Sequence, residues 1–186
     1  DLRARVHRVD RHLAIGRAGD HDAAVVEARS GPGDAPVRIL SDRRGLGQQA
    51  LEVEARRDQF GAVERIHPIA ILDRLSQGTK YSTRSVNAVA CVAEFSPNQF
   101  YAFHNLLFTN QPAENTTGLS DDELVLLTEQ AEVGSGDDIA SCIRNQTFKA
   151  WVTTATARAL NGPIANSNVE KVTGTPTVIV NGLKYE

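Results

Sequence analysis

The sequence predicts an α/β fold in which a block of helices separates two parts of a sheet. Residues 62–71 and Thr177–Val180 are rich in β-branched and other apolar residues, which is typical of buried strands. Four or five helix patterns with start and stop signals lie between these two runs. We therefore expect one sheet that is interrupted in sequence by a helical insertion.

Capping signals predict where the helices begin. Ser82 or Ser85 is expected to cap the first helix, which ends near Phe95. Two capping boxes, in which a Ser and a Glu or Gln three residues later satisfy each other's backbone N–H groups, predict two more helix starts. These boxes are Ser96 with Gln99 and Ser120 with Glu123. Two further helices are expected over residues 137–142 and 148–160.

The patterns before residue 62 are weaker. Residues 1–33 are rich in Arg, Asp, Ala and Gly, and we expect them to be poorly ordered. Residues 33–40 are expected to lead into the first core strand. Residues 50–60 are predicted to form a helix that Gly61 ends. With the strand at 62–71, these segments would make a strand–helix–strand unit.

Composition excludes several classes of function. A chain of 186 residues with 41% hydrophobic residues is long enough for one sizeable core. A net charge of −3 gives no basis for binding nucleic acid or an anionic membrane, and no apolar run approaches the roughly 18 residues that span a bilayer. We expect no cofactor and no metal site, because neither the early histidines nor Asp20-His21-Asp22 match a zinc spacing.

Residues 172–182 combine a proline loop, a strand and a turn. Thr175 and Pro176 precede the β-branched run, and Asn181-Gly182 is a strong signal for a tight β-turn. Pro176 stands where it removes no hydrogen bond from a strand ladder. An X-Pro bond is also one of the few places where a cis peptide is tolerated. A cis bond here is expected to expose the backbone of Thr175 to a partner chain.

Gly-Thr-Pro-Thr followed by an apolar strand and Asn-Gly resembles the cis-proline loop of the thioredoxin superfamily. The upstream chain resembles the DsbA branch, in particular its exported actinobacterial members. The resemblance covers about residues 67–185, through segments 67–73, 81–84, 86–94, 100–108, 111–112 and 118–119. It implies a thioredoxin-like α/β fold with a helical insertion, with the N-terminal segment irregular.

The implied organisation has four parts. Residues 1–33 are the poorly ordered segment and residues 34–81 are the first part of the thioredoxin-like domain. Residues 82–162 are the helical insertion, and residues 163–186 hold the cis-proline loop and the C-terminal strands. We expect the natural start and end to lie beyond the given sequence, since it begins at Asp1, contains no Met and stops where a thioredoxin-like sheet normally continues.

The resemblance implies a thiol-disulfide oxidoreductase that acts on exported proteins. It would bind unfolded or extended polypeptides at Thr175 and Pro176 and work with a redox partner in the membrane. The implied location is extracytoplasmic, in the periplasm, the cell wall or outside the cell, with the export signal outside this chain. We expect a monomer that binds no nucleic acid.

The catalytic cysteines of that family are absent. The loop that would carry Cys-x-x-Cys, residues 41–49, contains no cysteine, and no Ser, Asp or Arg replaces a redox sulfur. We therefore assign no catalytic residue and predict that the chain as written is redox-inactive. His67 and His104 have no neighbouring nucleophile pattern and are predicted to be strand-end and helix-surface residues.

The two cysteines of the chain, Cys91 and Cys142, are 51 positions apart in different predicted helices. The resemblance implies a structural disulfide that joins two insertion helices, and two buried free cysteines are the alternative. A disulfide would indicate an oxidising, extracytoplasmic compartment.

The missing motif has two explanations. Residues 1–65 hold 12 of the 16 Arg and none of the Lys, Cys, Tyr or Trp, which suggests that a frameshift or deletion has replaced a once-catalytic segment. Alternatively, the protein is a natural redox-silent module that holds extended peptides along Thr175 and Pro176 by strand addition.

Overall fold

The computed structural model describes residues 23–30, 38–39, 53–57 and 62–185, and side chains within residues 65–185. The strands are β1 (Ala23–Ser30), β2 (Arg38–Ile39), β3 (Val53–Arg57), β4 (Ala62–Ile69), β5 (Thr177–Val180) and β6 (Leu183–Lys184). The helices are α1 (Tyr81–Phe95), α2 (Phe100–Thr109), α3 (Asp121–Gln130), α4 (Gly136–Arg144) and α5 (Lys149–Asn161), with 3₁₀ turns at Asp73–Leu75 and Pro97–Gln99. The predicted α/β fold with a helical insertion is confirmed.

The six strands form one sheet in the order β2-β3-β4-β1-β5-β6. β1 is central, because it pairs antiparallel with β4 and parallel with β5. All other neighbouring strands are antiparallel. All five helices lie between β4 and β5 in sequence, as an insertion within the sheet.

The first part of the sheet corrects three expectations. The helix predicted over residues 50–60 is wrong, since Val53–Arg57 form β3 between β2 and β4. Residues 33–40 were expected to lead into a core strand, but the described part of this segment, Arg38–Ile39, forms only the outer strand β2. The central position belongs to Ala23–Ser30, within the segment expected to be poorly ordered. The expected strand–helix–strand unit is therefore not formed, because β3 stands where its helix was expected and β3 pairs antiparallel with β4.

The physical reason is pairing with the next strand along the chain, because β3 and β4 are separated by only four residues and pair antiparallel. Val53 and Ala55 alternate with polar neighbours, so the segment fits a strand as well as a helix. Pairing with β4 satisfies its backbone groups, and this outweighs a weak local helix pattern. The rest of residues 1–33 and the whole of residues 41–49 lie outside the described residues, and the division into four segments stays a prediction.

The helix starts match the capping predictions in part. The Ser120 hydroxyl accepts from the Glu123 backbone N–H, and the Glu123 carboxylate accepts from the Ser120 N–H at 2.7 Å, so this capping box is confirmed. The box at Ser96 is wrong, because the Ser96 hydroxyl caps no backbone N–H of the turn that follows: it donates to the Gln99 side-chain oxygen at 3.1 Å and accepts from the Gly134 N–H at 3.2 Å. Neither Ser82 nor Ser85 caps α1, because this helix already begins at Tyr81.

Two hydrophobic clusters lie among the described residues. The first cluster is built mainly from α1 to α4, and its centre includes Val92, Phe103, Leu124 and Ile139, all fully buried. The second cluster consists of Ile69, Val169, Val172 and Ile179, with Ile71, Ala159 and Ile164 packed against it. The second cluster lies where β4, β5 and the end of α5 meet.

Candidate functional site

The candidate site is the loop of residues 173–176, which leads into β5. The strand register places His67 of β4, Val25 of β1 and Thr177 of β5 in one row across the sheet. The loop lies just beyond this row, beside the first residues of β1 and the last residues of β4. Thr175 and Pro176 therefore stand at one end of the central part of the sheet, joined by a cis peptide bond.

Buried residues hold the loop on both sides. Val172 is 2% exposed, and its N–H donates to the Ala159 carbonyl at 2.9 Å, which ties the loop to the end of α5. Thr177 is buried, and its hydroxyl donates to the Gly174 carbonyl at 2.6 Å. Because both anchors are buried, the loop between them is positioned by packing against the core and by the local bond between Thr177 and Gly174.

The loop itself is open. Gly174 and Pro176 are exposed and Thr175 is partly buried. Among the described residues, no backbone group hydrogen-bonds with the N–H or C=O of Thr175. An extended chain that approached this loop would meet main-chain groups that have no backbone partner among the described residues, and unpaired main-chain groups are the requirement for strand addition.

The outer edge of β6 is different, because Asn168 covers it. The Asn168 side-chain oxygen accepts from the Lys184 N–H at 2.8 Å, and the Asn168 N–H donates to the Gly182 carbonyl at 2.7 Å. Asn168 therefore uses one donor and one acceptor to occupy edge groups that would otherwise be available to another strand. Among the described residues, the loop therefore has more backbone N–H and C=O groups without a partner than the outer edge of β6.

A hydrogen bond with α5 fixes the chain just after the end of β4. The Ala70 N–H donates to the Thr156 hydroxyl at 2.9 Å, which joins the chain after β4 to α5. Thr156 is buried although it is polar, and this hydrogen bond explains its burial. Thr156 thus helps α5 support the same end of the sheet as the loop.

Cys91 of α1 and Cys142 of α4 form the disulfide bond that the resemblance implies, with Cα atoms 5.9 Å apart. Both belong to the first cluster, and they are 0% and 4% exposed. The Asn87 side chain lies beside them, where it donates to the Ile143 carbonyl at 3.4 Å and accepts from the Phe148 N–H at 2.8 Å. The bond therefore joins two helices inside a core and presents no sulfur to a partner.

The histidines do not form a catalytic pair. His67 is partly buried in β4. His104 was predicted to be a surface residue, but its ring is partly buried, with Phe100 stacked at 5.8 Å and Phe108 at 4.8 Å between centroids. Burial lowers the pKa of His104 from 6.5 to about 4, and a hydrogen bond with Asn105 opposes this only in part. His104 is therefore a neutral packing residue near pH 7.

The described residues contain neither a cluster suited to a metal ion nor a helix suited to a membrane. Within the part of the chain that the structure describes, no group of three or more His, Cys, Asp or Glu side chains is placed to hold a metal ion. None of the helices in that part combines the length and apolar character needed to cross a bilayer.

Residues 47–186 match the family model described as Thioredoxin. The chain belongs to the thioredoxin family. This match includes α1 to α5, the candidate loop and β6, so both the insertion and the loop are parts of a thioredoxin-family domain. No curated protein matches the sequence.

Two solved structures from Mycobacterium tuberculosis place the chain within the DsbA-like thiol-disulfide oxidoreductases of this family. The oxidised DsbA is 27% identical, with a TM-score of 0.54 over 94% of this chain and 81% of that chain. The reduced disulfide bond oxidoreductase DsbG is 28% identical, with a TM-score of 0.53 over 88% of this chain and 71% of that chain. The predicted family and its thioredoxin-like fold are confirmed.

Sequence reasoning found the loop but missed its supports. Thr175 and Pro176 follow from a short local motif, whereas Thr156, Asn168 and Val172 act through contacts with residues that are distant in sequence. Asn168 carried no local signal. Thr156 stands among the apolar positions of α5, and a polar residue on such a face is the one hint the sequence offered.

Proposed function

We propose that this DsbA-like chain binds extended segments of exported polypeptides at Thr175 and Pro176 and does not itself exchange disulfides. The observation that carries the proposal is the state of its cysteines. The sequence contains two, and both are buried in a disulfide within the first cluster. The open backbone of the loop supports the binding half of the proposal.

The chemical requirements of thiol-disulfide exchange support the proposal that the chain does not exchange disulfides. A thiolate must attack a disulfide sulfur in line, so it must be accessible, and a second thiol must resolve the mixed disulfide. Residues 41–49 carry no cysteine, and Cys91 has no exposed surface. A reaction of the family type would therefore need a sulfur that this chain does not offer.

Strand addition supports the binding half. Main-chain hydrogen bonds supply affinity that depends little on the sequence of the bound peptide. The Thr175 backbone is free of described backbone partners, while Asn168 covers the β6 edge. The loop is thus the better docking point for an extended peptide.

The partners and location of the chain are proposed from its relatives and its disulfide. The two solved relatives are named as a disulfide oxidoreductase and as DsbA. We extend from them the use of unfolded exported proteins as partners, and contact with a redox protein of the membrane. Disulfides persist in oxidising compartments, so the Cys91–Cys142 bond supports an extracytoplasmic location.

A peptide-binding assay with an activity assay tests both halves. A labelled, extended, cysteine-free peptide is titrated with the chain, and Pro176→Ala is compared with Pro163→Ala, which changes another exposed proline outside the loop. We expect saturable binding that weakens only in the Pro176 variant, and no turnover in insulin reduction or dithiol oxidation. Turnover by the purified chain would contradict the proposal that it does not exchange disulfides. Equal binding by the two variants would contradict the assignment of the loop as the peptide-binding site.

A damaged copy of an active oxidoreductase is the second candidate, and the biased composition of residues 1–65 favours it. It is tested by translating the codons for residues 40–66 in all three forward frames. A Cys-x-x-Cys in a neighbouring frame would assign the function to the restored protein. If no frame contains it, the peptide-binding module stands alone.

A further inference from the structure

The chain contains two Asn-Gly pairs in different surroundings. Asn181-Gly182 forms the turn between β5 and β6, and Asn161-Gly162 closes α5. Both asparagines are exposed. The comparison is informative because Asn-Gly is the dipeptide in which a backbone nitrogen most readily attacks the preceding side-chain amide, since glycine has no side chain to obstruct the approach.

The two glycine nitrogens differ in their hydrogen bonds. The Gly162 N–H donates to the Arg158 carbonyl at 2.8 Å as the last bond of the helix. The Gly182 N–H has no backbone partner among the described residues, and the Asn181 side chain makes no hydrogen bond with them. At residues 181–182 the nucleophile and the amide that it would attack therefore have no hydrogen-bond partner in the described part of the chain, whereas the nucleophile is held at residues 161–162.

The fold also requires glycine at position 182. Its φ is +84°, and a Cβ there would lie 2.7 Å from the Asn166 carbonyl oxygen. Other residues would be strained in this turn. The structure therefore maintains the small residue that makes Asn181 susceptible.

We propose that Asn181 is a site of spontaneous deamidation and isoaspartate formation in the folded protein, and that Asn161 is not. The Gly182 nitrogen attacks Cγ of Asn181, a five-membered succinimide forms, and the side-chain nitrogen leaves as ammonia with the proton from Gly182. Water then opens the ring. Cleavage between Cγ and the Gly182 nitrogen gives aspartate, and cleavage between the main-chain carbonyl carbon and that nitrogen gives isoaspartate. No electron donor or acceptor is needed.

The product changes the hairpin that carries the candidate loop. Isoaspartate adds one atom to the main chain of a two-residue turn and leaves a carboxylate there. The turn closes the pairing of Val180 with Leu183 and precedes the bond from the Tyr185 N–H to the Val178 carbonyl. Because turn geometry sets strand register, the modification loosens β6 from β5.

Peptide mass mapping of the full chain tests the proposal. The chain is held in mildly alkaline buffer with and without urea, and the conversion of amide to carboxyl at each asparagine is followed over time. In urea the two sites should react at similar rates, since both precede glycine. In the folded protein Asn181 should react about tenfold faster than Asn161, because Gly162 must first break its hydrogen bond.

Two variants test whether the conversion in the folded protein occurs at Asn181. Asn181→Asp should remove most of the conversion seen in the folded protein, and Asn161→Asp should leave it unchanged. A folded-state ratio of the two rates no larger than the ratio in urea overturns the proposal. So does an unmodified Asn181 in the folded protein when the same residue reacts in urea.

Discussion

The two hydrophobic clusters differ in size and in what they support. Among the described side chains, the first cluster has 18 buried residues, drawn mostly from α1 to α4, and contains the Cys91–Cys142 disulfide. The second cluster has four buried residues within the same part of the chain and lies under the candidate loop. A segment held by few buried contacts opens at a lower free energy than a large core. Within residues 65–185, the larger core thus supports the insertion and the smaller core supports the candidate loop.

Removal of the disulfide should have the largest effect. Closing a loop of 51 positions stabilises a fold by about 4 kcal/mol in the chain-entropy model. Cys91→Ala with Cys142→Ala should therefore lower the free energy of unfolding by about 4 kcal/mol, measured by urea denaturation. Peptide binding at the loop should not change in conditions where the variant stays folded. Weaker binding would mean that the two clusters do not act separately.

Reductant provides the control for this prediction. It should destabilise the wild-type chain by a similar amount and leave the alanine pair unaffected. A wild-type chain that loses no stability on full reduction would contradict the assignment of the bond to the core.

A matched pair of isoleucines compares the clusters directly. Ile179 of the second cluster and Ile143 of the first are each 1% exposed. Truncation of a buried isoleucine to alanine typically costs about 2–5 kcal/mol, from lost burial and from the cavity left behind. Both variants should lose stability in this range by urea denaturation.

Only Ile179→Ala should also weaken peptide binding, because Ile179 packs with Val172, the residue that anchors the loop. Binding is measured well below the unfolding transition of each variant. Equal binding by the Ile179 and Ile143 variants would show that the second cluster does not position the loop.

The difference between local signals and long-range contacts explains which parts of the fold and of the candidate site the sequence predicted. The helices were predictable because their signals are local, as with Ser120 and Glu123. The capping box at Ser96 failed because the chain forms a 3₁₀ turn there, in which the Gln99 N–H donates to the Ser96 carbonyl at 3.0 Å and not to the Ser96 hydroxyl. β1 was missed because its partners β4 and β5 are distant in sequence, and β3 was missed because the local pattern near Val53 fits a helix as well as a strand. The loop was found from Thr175-Pro176, but its anchors were not.

Acid should weaken the first cluster through His104. The pKa of this ring is about 4 in the folded chain, below its ordinary value of 6.5, because the ring is desolvated between Phe100 and Phe108. Between these two values the unfolded chain binds a proton that the folded chain does not bind. The stability is therefore complete above pH 6.5, falls as the pH drops towards 4, and loses nothing more from this group below that.

The expected loss is about 2 kcal/mol over this range, after allowance for the partial exposure of the ring. Denaturation curves at several pH values measure it. His104→Phe keeps an aromatic ring in the same place and should flatten this part of the pH profile. An unchanged profile in the variant would assign the acid sensitivity to other groups.

The smallest expected effect concerns the start of α3. Ser120→Ala removes the hydroxyl that accepts from the Glu123 N–H, and the loss of such a cap costs about 1 kcal/mol. Hydrogen bonds with Ser120 lower the pKa of Glu123, so the carboxylate is the form that belongs to the box. Glu123→Gln keeps an oxygen acceptor for the Ser120 N–H and should cost less than Ser120→Ala. If Glu123→Gln instead costs more than Ser120→Ala, the charge of Glu123 at the positive end of the helix contributes more than the hydrogen bond to the Ser120 hydroxyl.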